Sequence, residues 1–245
     1  MKKSYLLFIS LTVFAGSEVI AQDIHFSQFY DSPIQLNPAA AGNKNDYRLI
    51  CNYKNQWSSI STGYKTLFAS VDVIPFGKKE EKGFWGVGLS VYTDKAGKSK
   101  MGTTQMSIPV SYTIKLNTAN FLAAGVQIGL AQKLVNTANL KWDNQFNGSN
   151  YDPGIASGET ETNEKKNYTD LTGGLLWTFL LNENDKMNVG VSVSHINKPN
   201  QAFSKTDKDP LNPQIIIHEN AEFKINDKNM CLQPIALFTF QNKLN

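Results

Sequence analysis

Apolar and polar residues alternate along most of this chain. From Phe84 to Thr93, Trp85, Val87, Leu89 and Val91 alternate with Gly86, Gly88, Ser90 and Tyr92. Between Gln105 and Leu116 the apolar set is Met106, Ile108, Val110, Tyr112, Ile114 and Leu116, and its partners are Ser107, Pro109, Ser111, Thr113 and Lys115. Leu122, Ala124, Val126, Ile128 and Leu130 continue the pattern, with Gly125, Gln127 and Gly129 between them. Further on come Leu171, Leu175, Trp177, Phe179 and Leu181, then Val189, Val191 and Val193. A period of two is the strand period, because successive side chains leave opposite faces. The pattern predicts nine strands, at 47–54, 65–74, 84–93, 103–116, 121–132, 168–181, 187–196, 214–224 and 230–240, and no amphipathic helix. Pro109 cannot donate to a ladder, so a bulge or a local break is expected there.

Connection lengths alternate too. Those at 117–120, 182–186 and 225–229 are short, with 75–83 somewhat longer, and between them fall connections at 55–64, 94–102, 133–167 and 197–213 that are longer on average. Many strands reach ten residues, the length a tilted membrane strand needs. Long strands, alternating short and long connections and a Gly/Ser/Thr/Gln-rich second face predict an all-β, antiparallel transmembrane β-barrel. Aromatic residues near strand ends (Tyr47, Tyr53, Trp57, Phe84, Trp85, Tyr92, Phe121, Tyr168, Phe238 and Phe240) suit interfacial girdles. The alternative is a secreted, soluble β-sandwich with one wet face.

The N-terminus bears on the compartment. Residues 1–21 carry Lys2 and Lys3, an apolar run from Tyr5 to Ala15, and Val19-Ile20-Ala21, the form of a secretory signal peptide cut after Ala21. Gln22 follows where a lipoprotein has Cys. Residues 22–46 are then a periplasmic lead segment and 47–245 the barrel. Export places Cys51 and Cys231 where a disulfide could form, but the expectation is two unpaired thiols.

Composition adds exclusions. The 245 residues are 41% hydrophobic and 18% charged, with mean hydropathy −0.33. No mature segment approaches the roughly 18 to 20 apolar residues of a spanning helix. A net charge of +3, spread along the chain, does not mark a nucleic-acid binder. His25, His195 and His218 are scattered without metal-ligand spacing. Asp143 begins a loop with a calcium-site flavour, but Gln145 stands where an EF-hand has Asp or Asn, and Gly154 where it has the bidentate Glu. Neither a Gly-x-Ser-x-Gly elbow nor a phosphate loop is present. Ser194 and His195, as strand neighbours, should point to opposite faces. No enzyme activity and no cofactor are expected. Lys78, Lys79, Glu80, Glu81 and Lys82 make a mixed-charge turn, either solvated or facing a partner.

The segment after the cut contains His25-Phe26-Ser27-Gln28, Pro33 and Asn37-Pro38-Ala39-Ala40-Ala41-Gly42. Asn37-Pro38 favours a turn and Gly42 permits positive φ. This segment resembles the opening signature of the PorP/SprF family of type IX secretion system membrane proteins. Gln56 and Trp57, then Gly86, Gly88, Asp94 and Gly97, and finally Trp142, Gln145, Tyr151 and Asp152 resemble its later motifs. The resemblance implies a fourteen-stranded outer-membrane barrel that works with the type IX export machinery. Implied partners are outer-membrane lipids, periplasmic lipoprotein ring components and exported surface proteins, including adhesins used in gliding. The lead segment, with Phe26, Phe29 and Tyr30, is expected to seal the barrel or to present a partner epitope. Nine strands is an odd number and fewer than fourteen, and no aromatic residue ends the chain, so a C-terminal truncation is expected.

Overall fold

The computed structural model describes residues 29–43, 46–59, 63–76, 82–97, 99, 101–136, 140–158, 163–182, 185–203, 206, 208–225 and 230–241. The signal peptide, the His25–Gln28 motif and most of the mixed-charge turn lie outside them.

Among these residues the fold is one antiparallel meander. Its strands are β1 (Tyr47–Gln56), β2 (Tyr64–Val73), β3 (Gly83–Ala96), β4 (Met101–Lys115), β5 (Asn120–Asn136), β6 (Asn163–Leu180), β7 (Lys186–Ser194), β8 (Gln214–Ile225), β9 (Met230–Leu232) and β10 (Ile235–Gln241). Each pairs with the next through β8, and β9 and β10 both pair with β8. The edges β1 and β10 are not paired with each other. The sheet is therefore open.

Eight predicted strands recur with shifted ends. The ninth is divided: Leu232 sits opposite Phe223 and Ile235 opposite Asn220, a single register interrupted at Gln233-Pro234. Pro234 still accepts a bond from Ala221 but has no N–H to return. Pro109 acts similarly. The β3–β4 register is the same on either side, Val87 opposite Val110 and Ser90 opposite Ser107, with pairing lost between. The ladder breaks there without a bulge. A Cβ on Gly88 would lie 3.0 Å from the Pro109 ring, so that glycine makes room for it.

The sheet is inside-out relative to a water-soluble one. On β2, Thr66, Phe68, Ser70 and Asp72 are buried, while Leu67, Val71 and Val73 are exposed. On β4, Gln105, Ser107, Ser111 and Thr113 are buried, and Met106, Ile108 and Ile114 face out. Val126 and Leu130 of β5 are 63% and 65% exposed. A sandwich in water would bury this apolar face, so the soluble alternative is not the fold. Met106 to Ile114 spans about 27 Å of strand. Tilted by about 40°, that covers roughly 20 Å, close to the apolar band of an outer-membrane barrel. Trp85 and Tyr112 pack outward near the short-turn end, with ring centroids 4.8 Å apart. Phe84, Tyr92 and Phe121, expected in the girdles, share the strand parity of the buried residues and line the interior instead. Phe84 and Phe121 border an internal cavity, and the Tyr92 hydroxyl donates to Gln105 Oε1 at 3.2 Å. Cys51 and Cys231 are both free and exposed.

Candidate functional site

The interior is occupied by the chain's own N-terminal segment. Pro33–Leu36 forms one helical turn, α1, with proline supplying the φ that a first helical position wants. Asn37 leaves it in extended geometry, as the following proline demands, and its Oδ1 accepts from Ala39 N at 3.0 Å. Pro38–Ala40 adds a 3₁₀ turn, and Gly42 turns the chain out with φ +67. We call residues 32–42 the strap. Ile34, Asn37, Ala39 and Ala41 are all 0% exposed.

The strap's contacts show that the sheet is curled. Asn52 Nδ2 of β1 donates to Ser32 Oγ at 2.6 Å, and Ser192 Oγ of β7 donates to Leu36 O at 2.5 Å. Four residues reach at most about 14 Å. In a flat sheet β1 and β7 lie six spacings, or about 29 Å, apart. Only a sheet rolled around the strap brings both within reach. From Leu36 the strap crosses β7 and β6, then β5 and β4, and ends against β3 and β2.

Polar groups hold it along this path. Asn37 Nδ2 donates to Leu175 O at 2.9 Å and faces His218 Nε2 at 3.1 Å. Ser111 Oγ donates to Ala41 O at 2.8 Å. Gly42 N donates to Asp72 Oδ2 at 2.8 Å. Arg48 completes the anchor: its Nε donates to Asp72 Oδ1 at 2.8 Å, and one terminal nitrogen donates to Asp72 Oδ2 and Ala40 O, each at 3.0 Å. Asp72 is 1% exposed and Arg48 13%, so the carboxylate is buried and its partner mostly so. Such a pair is a strong organiser and a costly one to break.

Close approach requires a floor without side chains. A Cβ on Gly86 would fall 2.1 Å from Ala41 O, on Gly125 2.4 Å from Ala39 N, on Gly174 2.1 Å from Asn37 Oδ1, and on Gly190 2.2 Å from His218 Nε2. Four neighbouring or near-neighbouring strands thus offer glycine where the strap or its partner passes. Toward the short turns lies a cavity of about 430 Å³, bordered by strap residues, Phe84, Phe121, Lys186 and β8.

The sequence motifs fall into two groups. Pro33, Asn37, Pro38, Ala39 and Gly42 form the strap, and Gly86 its seat. Gly88 accommodates Pro109. The others sit toward the long loops. Thr66 Oγ1 donates to Asp94 Oδ1 at 2.5 Å, and Gly97, with φ +65, donates to Gly63 O. Gln56 ends β1, and the Trp57 ring stands 5.6 Å from that of Tyr64. Gln145 organises the loop after β5: its side chain accepts from Trp142 N and donates to Ile155 O, while its carbonyl accepts from Asp152 N. Lys141 Nζ lies 4.6 Å from the Tyr151 ring centroid. Among the described residues no three His, Cys, Asp or Glu side chains converge on a metal position.

Sequence reasoning missed Arg48, Asp72, Gly125, Gly174, Gly190 and His218 as parts of one site. It also missed a polar pair near the long loops. His195, just past β7 with φ +57, leaves the strand alternation and places Nδ1 2.8 Å from the buried Asp170 Oδ1. Further along β5, toward the loop that follows it, Lys133 Nζ donates to Gln201 Oε1 at 3.2 Å.

An up-and-down antiparallel wall, apolar outside, polar inside and filled by its own lead segment, belongs to the class of outer-membrane-type β-barrel proteins. No helix among the described residues is long and apolar enough to cross a membrane. The family model for the type IX secretion system membrane protein PorP/SprF matches residues 18–245, and the chain belongs to that family. It is therefore a membrane component of the type IX secretion system. No curated protein and no solved structure matches it.

Proposed function

We propose that this chain is a non-enzymatic, closed docking component of type IX export in the outer membrane, reached by way of the signal peptide at residues 1–21. Its short turns meet periplasmic lipoprotein ring components. Its long loops, 137–162 and 197–213, meet exported surface proteins such as gliding adhesins. One observation carries the reading: the strap occupies the interior that an open channel would keep clear. Short turns on the strap's entry side agree with the usual periplasmic placement.

The test pairs conductance with secretion. The full chain reconstituted in planar bilayers should stay closed, and deleting its gene should abolish export of surface proteins. An open, ion-selective current, together with normal export after deletion, would point to a porin-like channel and sink this reading.

A further inference from the structure

The bond between Asn37 and His218 has only one permitted polarity. Asn37 Oδ1 already accepts from Ala39 N, and Nδ2 faces Leu175 O at 2.9 Å and Val191 O at 3.4 Å, two groups that only accept. The amide cannot flip without losing these bonds. His218 Nε2, 3.1 Å from the same Nδ2, must therefore present a lone pair. A protonated imidazole has none, because both ring nitrogens then donate. The ring packs over Gly190, where a Cβ would fall 2.2 Å from Nε2, so the absence of a side chain there lets it reach the amide.

We propose that neutral His218 latches the strap and that its protonation unlatches the Asn37 end, making the plug acid-sensitive. This rests on the reading of the strap as a plug and adds its regulation. Other charged or titratable groups border the cavity below the ring. They are Tyr30 and Asp31 on the chain leading into the strap, Arg48 on β1, Lys186 on β7, and Glu219 and Glu222 on β8 itself. Lys186 Nζ and Glu222 Oε2 are paired at 3.1 Å, and Arg48 is paired with Asp72. From β3, β5, β6 and β10 the same cavity receives Phe84, Phe121, Leu176, Thr178, Leu180 and Ile235, none of which titrates. Among the described residues, His218 is thus the one titratable group in direct contact with the amide.

The experiment follows hydrogen exchange of strap amides by mass spectrometry, with the full chain in detergent micelles near pH 7.5 and near pH 5.5. Wild type is compared with His218→Gln, whose side-chain oxygen accepts without titrating. Comparison at one pH cancels the intrinsic exchange rate. Wild type should lose strap protection by about tenfold on acidification, the scale of one buried hydrogen bond, and His218→Gln should not. An unchanged wild type, or an equal loss in His218→Gln, overturns the latch. Should that variant not fold, ¹⁵N-histidine spectra of the wild type decide, with His218 assigned by elimination against His25→Gln and His195→Gln. An Nε2–H tautomer at neutral pH refutes the proposal, and an unprotonated Nε2 supports it. Conductance at neutral pH tests the plug itself, so failure of the plug and failure of the latch give different results.

Discussion

Gly174 and Gly173 are neighbours in β6 that face opposite ways, and they make a matched pair of perturbations. In Gly174→Ala the new methyl would sit 2.1 Å from Asn37 Oδ1 and 3.2 Å from Ser192 Cβ. Ordinary contact starts near 3.4 Å, so the Asn37 amide must retreat by more than 1 Å. A retreat of about 1 Å takes the Asn37–Leu175 bond from 2.9 Å past hydrogen-bond reach. Asn37 is fully buried, so water does not replace the lost partner. Stranding one or two buried polar groups costs about 1–3 kcal/mol each. We expect about 2–4 kcal/mol of strap seating to vanish, a fall of roughly 30- to 1,000-fold in amide protection across residues 33–42. In Gly173→Ala the methyl meets only Ile196 Cδ1, at an acceptable 3.4 Å. That variant should change protection by less than about threefold, since nothing needs to move. The assay is hydrogen exchange on both purified variants at one pH. Equal protection in the two, or a stable Gly174→Ala strap, would refute the idea that the glycine floor seats the plug.

Other expectations follow from the same contacts. Asp72→Ala leaves the mostly buried Arg48 guanidinium without its carboxylate and should cost about 3 kcal/mol, seen as a lower temperature of heat-modified gel mobility. Replacing both members with apolar residues, Arg48→Met with Asp72→Leu, should restore much of the loss. Val126→Lys puts a charge on the outward face and should cost about 2–4 kcal/mol of insertion, read as depletion from the membrane fraction. Gln127→Lys, one residue on and facing inward, should insert nearly as wild type does. At the short turn 181–185, the Lys224 N–H and then the Asn182 amide donate to Asp185 and hold its carboxyl below the ordinary value of 3.8. A lowered pKa means the turn's extra stability is present above that value and lost as pH falls through the depressed one. Protection of the Lys224 amide should follow that window in wild type and become flat in Asp185→Asn.

Strand positions were legible because one buried or lipid-facing side per strand leaves a period of two in the sequence. The register interruptions at Pro109 and Pro234 follow from the same chemistry, although only Pro109 stood out inside a clean alternation. Pro234 lay within an apolar run and did not reveal that it divides β9 from β10. Asn37-Pro38 could be read as a turn, but nothing local says where that turn docks. Its seat is distributed over Gly86, Gly125, Gly174 and Gly190, which in one dimension look like small residues on a polar face. They become a site only when curling brings β3 to β7 beneath one segment. His195 was misplaced for a local reason: alternation holds inside a strand, and a left-handed residue just past Ser194 escapes it. Phe84, Tyr92 and Phe121 were assigned outward by their nearness to strand ends, whereas their parity points them inward.

The anchoring of the strap has a consequence for biogenesis. Asn37 is made early, yet its partners lie 138 and 181 residues further along the chain, on β6 and β8. Contacts so distant form late, because long loops must close before the bonds can offset the lost entropy. The segment that leads the polypeptide is thus among the last to find its place. It ends on the concave side of the rolled sheet, bonded there to strands made both just after it and much later. Assembly of this protein is a wrapping of strands around their own leader, and any factor that holds residues 33–42 aside during insertion would yield a wall of correct register with an empty interior.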